Sequence, residues 1–268
     1  MKQAKTVAEQ LNEAFAYSLR LEGRRGSLTD FEVTRLGTML GGSKGNRLLV
    51  AVCDLLVSEI ERDFDKFDIA LSDFKAWNSN FDLACSIAST AQFAFNPLAA
   101  SLLLGQCFQI APDDLGFHHG FTKIAWFSGD LTLCAQMIDV RTNLGDDAMP
   151  LDTKVEKAIS VLNDAQVELA LYQELIHGVH QKLREYVSFK RDVNISLDID
   201  VDAYEDGSRG IVLQIFSDQD DEHLDQLDDD MTDLISDTDR WGVDLPRIMT
   251  ILVRDLLPES QLKGGKFA

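Results

Sequence analysis

The sequence has few cysteines, few bases and none of the short motifs that announce a particular chemistry. Its four cysteines, Cys53, Cys85, Cys107 and Cys134, stand 32, 22 and 27 residues apart in apolar helical contexts. With no CxxC and no Cys/His metal spacing, they argue against a disulfide framework or a zinc ribbon, and predict buried free thiols in a reducing cytoplasm. Residues Met1 to Gln10 are polar and hold no apolar signal-peptide core, so export by the general route is not expected. There is no Gly-x-Ser-x-Gly elbow, no HExxH and no dinucleotide fingerprint.

Basic residues are scarce in one place above all. Lys and Arg total 25 against 45 Asp and Glu, for a net charge of −20 over 268 residues. Between Asp192 and Asp239, 17 acids face the single base Arg209, which places 16 of the 20 net negative charges in that stretch. The acidity is therefore local, unlike the dispersed charge of a salt-adapted surface. Its sign disfavours direct nucleic-acid binding and favours a basic protein as partner.

The acidic stretch is patterned. Ile195, Leu197, Ile199, Val201 and Ala203 alternate with Ser196, Asp198, Asp200 and Asp202, the period of a half-buried strand. Turn residues from Glu205 to Gly210 and the apolar run Ile211 to Phe216 complete a predicted hairpin. From Asp218 the period becomes helical: Leu224, Leu227, Met231, Leu234 and Ile235 form one stripe, and Asp225, Asp228, Asp229, Asp233 and Asp237 lie opposite. Asp220, Asp221 and Glu222 suit the positive end of that helix.

Charge is absent altogether from Leu83 to Pro112, a run of 30 residues. The length would span a bilayer. The interior polar residues, the break at Asn96 and Pro97 and the acidic flanks Asp82, Asp113 and Asp114 instead predict a buried helical hairpin in a protein with no membrane contact. Around it the periodicity predicts an amphipathic first helix ending near Gly23 and a second opened by a Thr29/Glu32 capping box with Leu28 and Val33 as hydrophobic staple. A stripe from Leu48 to Phe74 and helices near Asp114 to Phe127 and Asp130 to Thr142 follow. The loop Asn143 to Pro150 reads as a joint. Beyond it Val155, Ile159, Leu162, Ala165, Leu169, Tyr172, Ile176, Val179, Leu183 and Val187 make a heptad-like seam on one long helix, which either braces the bundle or pairs with a second copy of the chain. After Trp241, Pro246 at a first turn predicts a closing apolar helix through Leu257.

Other constellations are incomplete. Gly41 to Arg47 resembles a phosphate cradle but lacks the P-loop order of residues. Arg20, Arg24, Arg25, Arg35, Lys44 and Arg47 outnumber the acids around them and form a basic patch. Glu174, His177 and His180 carry one Glu-x-x-His, with His118 and His119 as further ligands for a single metal, yet no second such pair exists for a di-iron bundle. Asp198, Asp200 and Asp202 begin like a calcium loop, but Ala203 and Arg209 occupy the positions that require glycine and glutamate.

The expectation is a predominantly helical α+β protein. It comprises a helical bundle over residues 1–149, a long connecting helix over 150–191, and an acidic module of β-hairpin plus helix over 192–268. Function is read as a cytoplasmic, non-enzymatic adaptor or inhibitor without a cofactor. It docks Asp198, Asp200, Asp202, Asp225, Asp228, Asp229 and Asp233 on a basic partner, with mimicry of nucleic-acid charge as the extreme form. Two alternatives stand beside it: a metal- or phosphate-dependent enzyme, and a structural subunit of an oligomeric assembly held through the seam. The plainest reading of the charge is a solvated face that does nothing more than solubilise.

Overall fold

The architecture is seen in a computed structural model that describes residues 5–41, 46–73, 80–203 and 209–256. Residues 1–4, 42–45, 74–79, 204–208 and 257–268 lie outside the described residues, and with them the expected hairpin turn and most of the expected phosphate cradle. The chain forms two compact units, Met1–Pro112 with Leu183–Asp192, and Asp113–Lys182 with Val193–Ala268. Its fold class is α+β and mainly helical.

The first unit contains α1 (Val7–Glu22), a 3-10 turn at Arg25–Ser27, α2 (Asp30–Gly41), α3 (Arg47–Glu61), α4 (Phe64–Asp73), α5 (Phe81–Phe93) and α6 (Pro97–Ile110). The second helix starts at its expected capping box, and the first has a capping box of its own. The Thr6 hydroxyl accepts from the Glu9 amide while the Glu9 carboxylate accepts from Thr6 N–H. Thr29 and Glu32 exchange the same pair of bonds at the start of α2, with Leu28 and Val33 buried beside them. The uncharged run folds into α5 and α6, which pack on each other with Cys85 Sγ 3.6 Å from Cys107 Sγ. Asn96 caps α6 and Pro97 takes its first turn, where a missing N–H costs nothing. Among the described residues no helix is long and apolar enough to cross a membrane.

The stripe from Leu48 to Phe74 is divided between α3 and α4. Arg62 adopts φ 55°, and the N–H groups of Arg62 and Asp63 turn back to the carbonyls of Glu59 and Ser58. This is a Schellman closure, which usually takes glycine at the left-handed position. Here an arginine holds it, with its guanidinium hydrogen-bonded to the Lys190 carbonyl at 3.1 Å.

The second unit contains α7 (Leu115–Phe127), α8 (Leu131–Asn143), α9 (Pro150–Asp164), most of α10 (Leu169–Val187), β1 (Ile195–Ala203), β2 (Arg209–Ser217), α11 (Asp221–Ser236), the short α12 (Thr238–Trp241) and α13 (Leu245–Ile248), and β3 (Met249–Asp255). The sheet order is β1-β2-β3, antiparallel between β1 and β2 and parallel between β2 and β3.

Three expectations are corrected here. The loop after α8 is fastened: buried Arg141 pairs with Asp152 across it, and His119 Nε2 lies 2.8 Å from Asp146. Residues 143–150 thus lie inside the second unit, and the units part at 112/113, 182/183 and 192/193. The long helix over 150–191 is two helices. Gln166 takes φ 57°, and the amides of Gln166 and Val167 bond the carbonyls of Asn163 and Leu162, with Val167 buried, another Schellman closure without glycine. The closing helix is largely a strand: only Leu245–Ile248 is helical, and Met249–Asp255 pairs with β2. A run as short as Ile248 to Val253 fits either period, and its β-branched and aliphatic residues satisfy a strand. A third strand is also what a two-stranded hairpin needs for stability. It makes β2 central, and Ile211, Val212, Leu213 and Ile215 are all buried there.

Candidate docking surface

Six of the seven aspartates expected to meet a partner are exposed, and Asp200 is half-buried. On β1, Ile199 is buried while Ser196, Asp198 and Asp202 face solvent, as the period-two pattern requires. Asp198, Asp200 and Asp202 stand opposite Gln214, Val212 and Gly210 of β2. Part of this row is countered from α9: Lys154 Nζ donates to Asp200 Oδ2 at 3.0 Å and lies 4.0 Å from Asp198. Asp200 also accepts from the Val201 amide at 2.8 Å.

The second row is on α11, whose Leu224, Leu227 and Met231 are buried and whose Asp225, Asp228, Asp229 and Asp233 are exposed. Asp220 caps the helix, accepting from the His223 amide, and its carboxyl is held below the usual carboxylate range by its hydrogen bonds to the His223 side chain and backbone. Close packing fixes the helix. Leu234 sits where a side chain on Gly178 of α10 would be, 3.2 Å from the Cβ position, and Trp241 Nε1 donates to the Leu234 carbonyl at 2.6 Å. Asp228 Oδ1 receives the Val253 amide of β3 at 3.4 Å, so this carboxylate closes an otherwise open strand edge.

The two rows do not form one continuous plate. α11 packs on β3, whereas β1 is the opposite edge of the sheet. Two strand spacings separate those edges, about 10 Å, which is also about the screening length at 0.1 M salt. Among the described residues, no ion pair engages Asp202, Asp225, Asp229 or Asp233.

The histidines of the Glu-x-x-His stretch bond the backbone after α7. Glu174 is exposed, His177 half-buried and His180 fully buried, so the three do not converge. Among the described residues no three His, Cys, Asp or Glu side chains form a group able to hold a metal ion. His180 Nε2–H donates to the Phe127 carbonyl at 3.0 Å, and His177 bonds the Ser128 backbone. Both rings thus close the turn after α7, where Gly129 has φ 72° and any Cβ would lie 2.9 Å from Ile176 Cβ. Burial lowers the proton affinity of His177 and brings that of His180 down to about 4, so both rings are neutral near pH 7. His118 is buried and His119 is engaged by Asp146.

The seam for a partner copy is occupied within the chain: Val155, Leu162, Tyr172, Ile176, Val179, Leu183 and Val187 are all buried. The basic patch is largely consumed as well. Arg24 pairs with Glu32, Arg20 and Arg35 flank the Tyr17 ring, and Arg25 is buried against Glu22 and Glu59. That carboxylate pair, Glu59 buried and Glu22 half-buried, had no signal in the sequence, because the two lie on different helices 37 positions apart. No family model matches the chain, and neither a curated protein nor a solved structure does.

Proposed function

We propose that this protein is a non-enzymatic adaptor or inhibitor that docks on a basic protein through the exposed carboxylates of β1 and α11. The observation that carries the reading is Asp202, Asp225, Asp229 and Asp233: acids on a packed strand and helix that no ion pair engages among the described residues. Concentrated charge of one sign accelerates encounter with an oppositely charged surface and repels wrong partners. Contacts at Gly178 and Trp241 and the pairing of the sheet hold the backbone that presents this charge, which lowers the ordering cost of binding.

The spacing favours a protein surface over full imitation of a nucleic acid. Same-face carboxylates on a strand recur about every 6.8 Å, against one charge per ~3.4 Å along each strand of duplex DNA. A partner that reads two sparse rows on either side of a sheet is a basic groove or a pair of basic ridges. Lys154 is an internal competitor for the β1 row and is displaced or repositioned on docking.

The test is association with a basic probe, poly-L-lysine, measured across salt. Asp198, Asp200 and Asp202 changed together to Asn, and separately Asp225, Asp229 and Asp233, each lower binding and flatten its salt dependence. Binding unaltered by both triple substitutions overturns the proposal.

A further inference from the structure

A cavity of about 190 Å³ opens in the first unit between α1, α3 and α5, lined by Phe15, Ser18, Leu19, Glu22, Glu59 and Phe93 along with Ala16 and a row of hydroxyls on α5. The hydroxyls belong to Ser86, Ser89 and Thr90, one face of the otherwise charge-free helix, and each donates to a carbonyl one turn back: those of Asp82, Cys85 and Ser86. Their protons are engaged, so they offer the cavity lone pairs only.

The cavity also meets two carboxyl groups held by one guanidinium. Arg25 donates from Nε to Glu22 at 2.9 Å, from one terminal nitrogen to the carbonyls of Ile60 and Arg191, and from the other to the carbonyl and the carboxylate of Glu59. All five of its N–H donors are thereby engaged. Glu59 is buried and its carboxyl meets that of Glu22; desolvation and that neighbour raise its proton affinity well above the ordinary carboxylate range. The Ser18 hydroxyl lines the space as well, so among the described residues the charged groups that meet the cavity are these two carboxyls alone. At the mouth, Leu19 is 58% and Phe93 40% exposed, apolar surface that would be hydrated in an empty cleft.

We propose that this cavity binds a small aliphatic primary ammonium, whose N–H groups meet the Glu22 and Glu59 carboxylates and the α5 hydroxyls while its chain covers Phe15, Leu19 and Phe93. Two carboxyl groups and three hydroxyls with engaged protons, under an apolar rim, repel anions and disfavour quaternary ammonium ions, which bring no N–H donor. Burial beside Glu22 raises the proton affinity of Glu59, so the cation competes with a proton there: when RNH3+ enters the protonated site, Glu59 becomes a carboxylate and one H+ leaves to solvent. The charged groups bearing on Glu59 are Glu22 of α1, Arg25 of the 3-10 turn and Arg62 at the end of α3, and the lining residues of α5 add none. Arg62 is turned to the Lys190 carbonyl and the Phe95 ring. This site belongs to the first unit, and none of its residues is in the acidic rows.

The experiment is calorimetric titration of the full chain with n-butylammonium, n-butanol and tetramethylammonium, in buffers of different protonation enthalpy. n-Butylammonium is expected to bind saturably with release of a proton and more tightly as pH rises. The alcohol and the quaternary ion should bind about tenfold more weakly or worse, the worth of a charge-assisted hydrogen bond. Glu59→Gln should abolish the proton release. Ser89→Leu, which fills the cavity from its half-exposed side and leaves Arg25 and its partners intact, should abolish binding in a folded protein. If Glu59→Gln does not fold, Ser89→Leu decides. Absence of n-butylammonium binding, equal binding of the three probes, release of no proton, or undiminished binding by Ser89→Leu overturns the proposal.

Discussion

Carboxylates occupy two contrasting settings in this chain. In the first unit Glu59 is almost wholly inaccessible, locked to Arg25 and pressed against Glu22. In the second, Asp225, Asp229 and Asp233 lie on the outer face of α11 with water around them. A buried acid has to be matched by donors where it sits, and becomes part of the scaffold. An exposed acid keeps its charge for something outside the chain. Sequence charge alone assigns both to one class, and burial separates them.

The contrast should be sharpest in stability. Arg25→Ala takes the guanidinium from Glu59 and one hydrogen bond from each of the Glu59, Ile60 and Arg191 carbonyls, and is expected to cost about 3–5 kcal/mol in urea unfolding. A loss under about 1 kcal/mol, the range of an exposed pair, would erase the distinction between the two settings.

Acid should expose a second buried group. His180 binds its proton less well folded, at about 4, than at the ordinary 6.5. Between those values the unfolded chain holds the extra proton, so the group's contribution is complete above pH 6.5 and is lost as pH falls toward 4. The loss is roughly 3 kcal/mol for this one ring, and His180→Gln should flatten that part of the stability profile.

Gly129→Ala probes the turn those histidines close. A left-handed φ and the contact with Ile176 predict a cost of about 1–3 kcal/mol by thermal unfolding. A neutral result would show that α10 yields there.

The smallest effect belongs to the exposed acids. Asp225, Asp229 and Asp233 follow one another at i, i+4 on α11, so changing Asp229→Asn relieves two like-charge repulsions. Stability should rise by about 0.2–0.5 kcal/mol per pair while association with poly-L-lysine falls. Lys154→Gln should leave stability within about 0.5 kcal/mol and raise that association, since it uncovers Asp198 and Asp200.

Several elements were legible because their cause is local. Thr29 with Glu32, Asn96 with Pro97, and the alternation from Ile195 to Ala203 each involve residues within a few positions of one another, and each appears as expected. The breaks at Arg62 and Gln166 were not legible as such, because the left-handed position there is held by neither glycine nor asparagine. The strand nature of Met249–Asp255 depends on β2, more than thirty residues earlier. Among the candidate sites, the acidic residues were readable from composition, whereas the cavity at Glu22 and Glu59 was not.

The sequence by itself determined where the acid is concentrated, which run carries no charge, and where most helices begin, because these follow from neighbours along the chain. Only the tertiary structure decided that the acidic rows lie toward opposite edges of the sheet, that His177 and His180 bond the turn after α7, and that Arg25 is interior. Those outcomes depend on which surfaces meet, and a side chain's charge or hydrogen bond acquires its role only once the groups opposite it are in place.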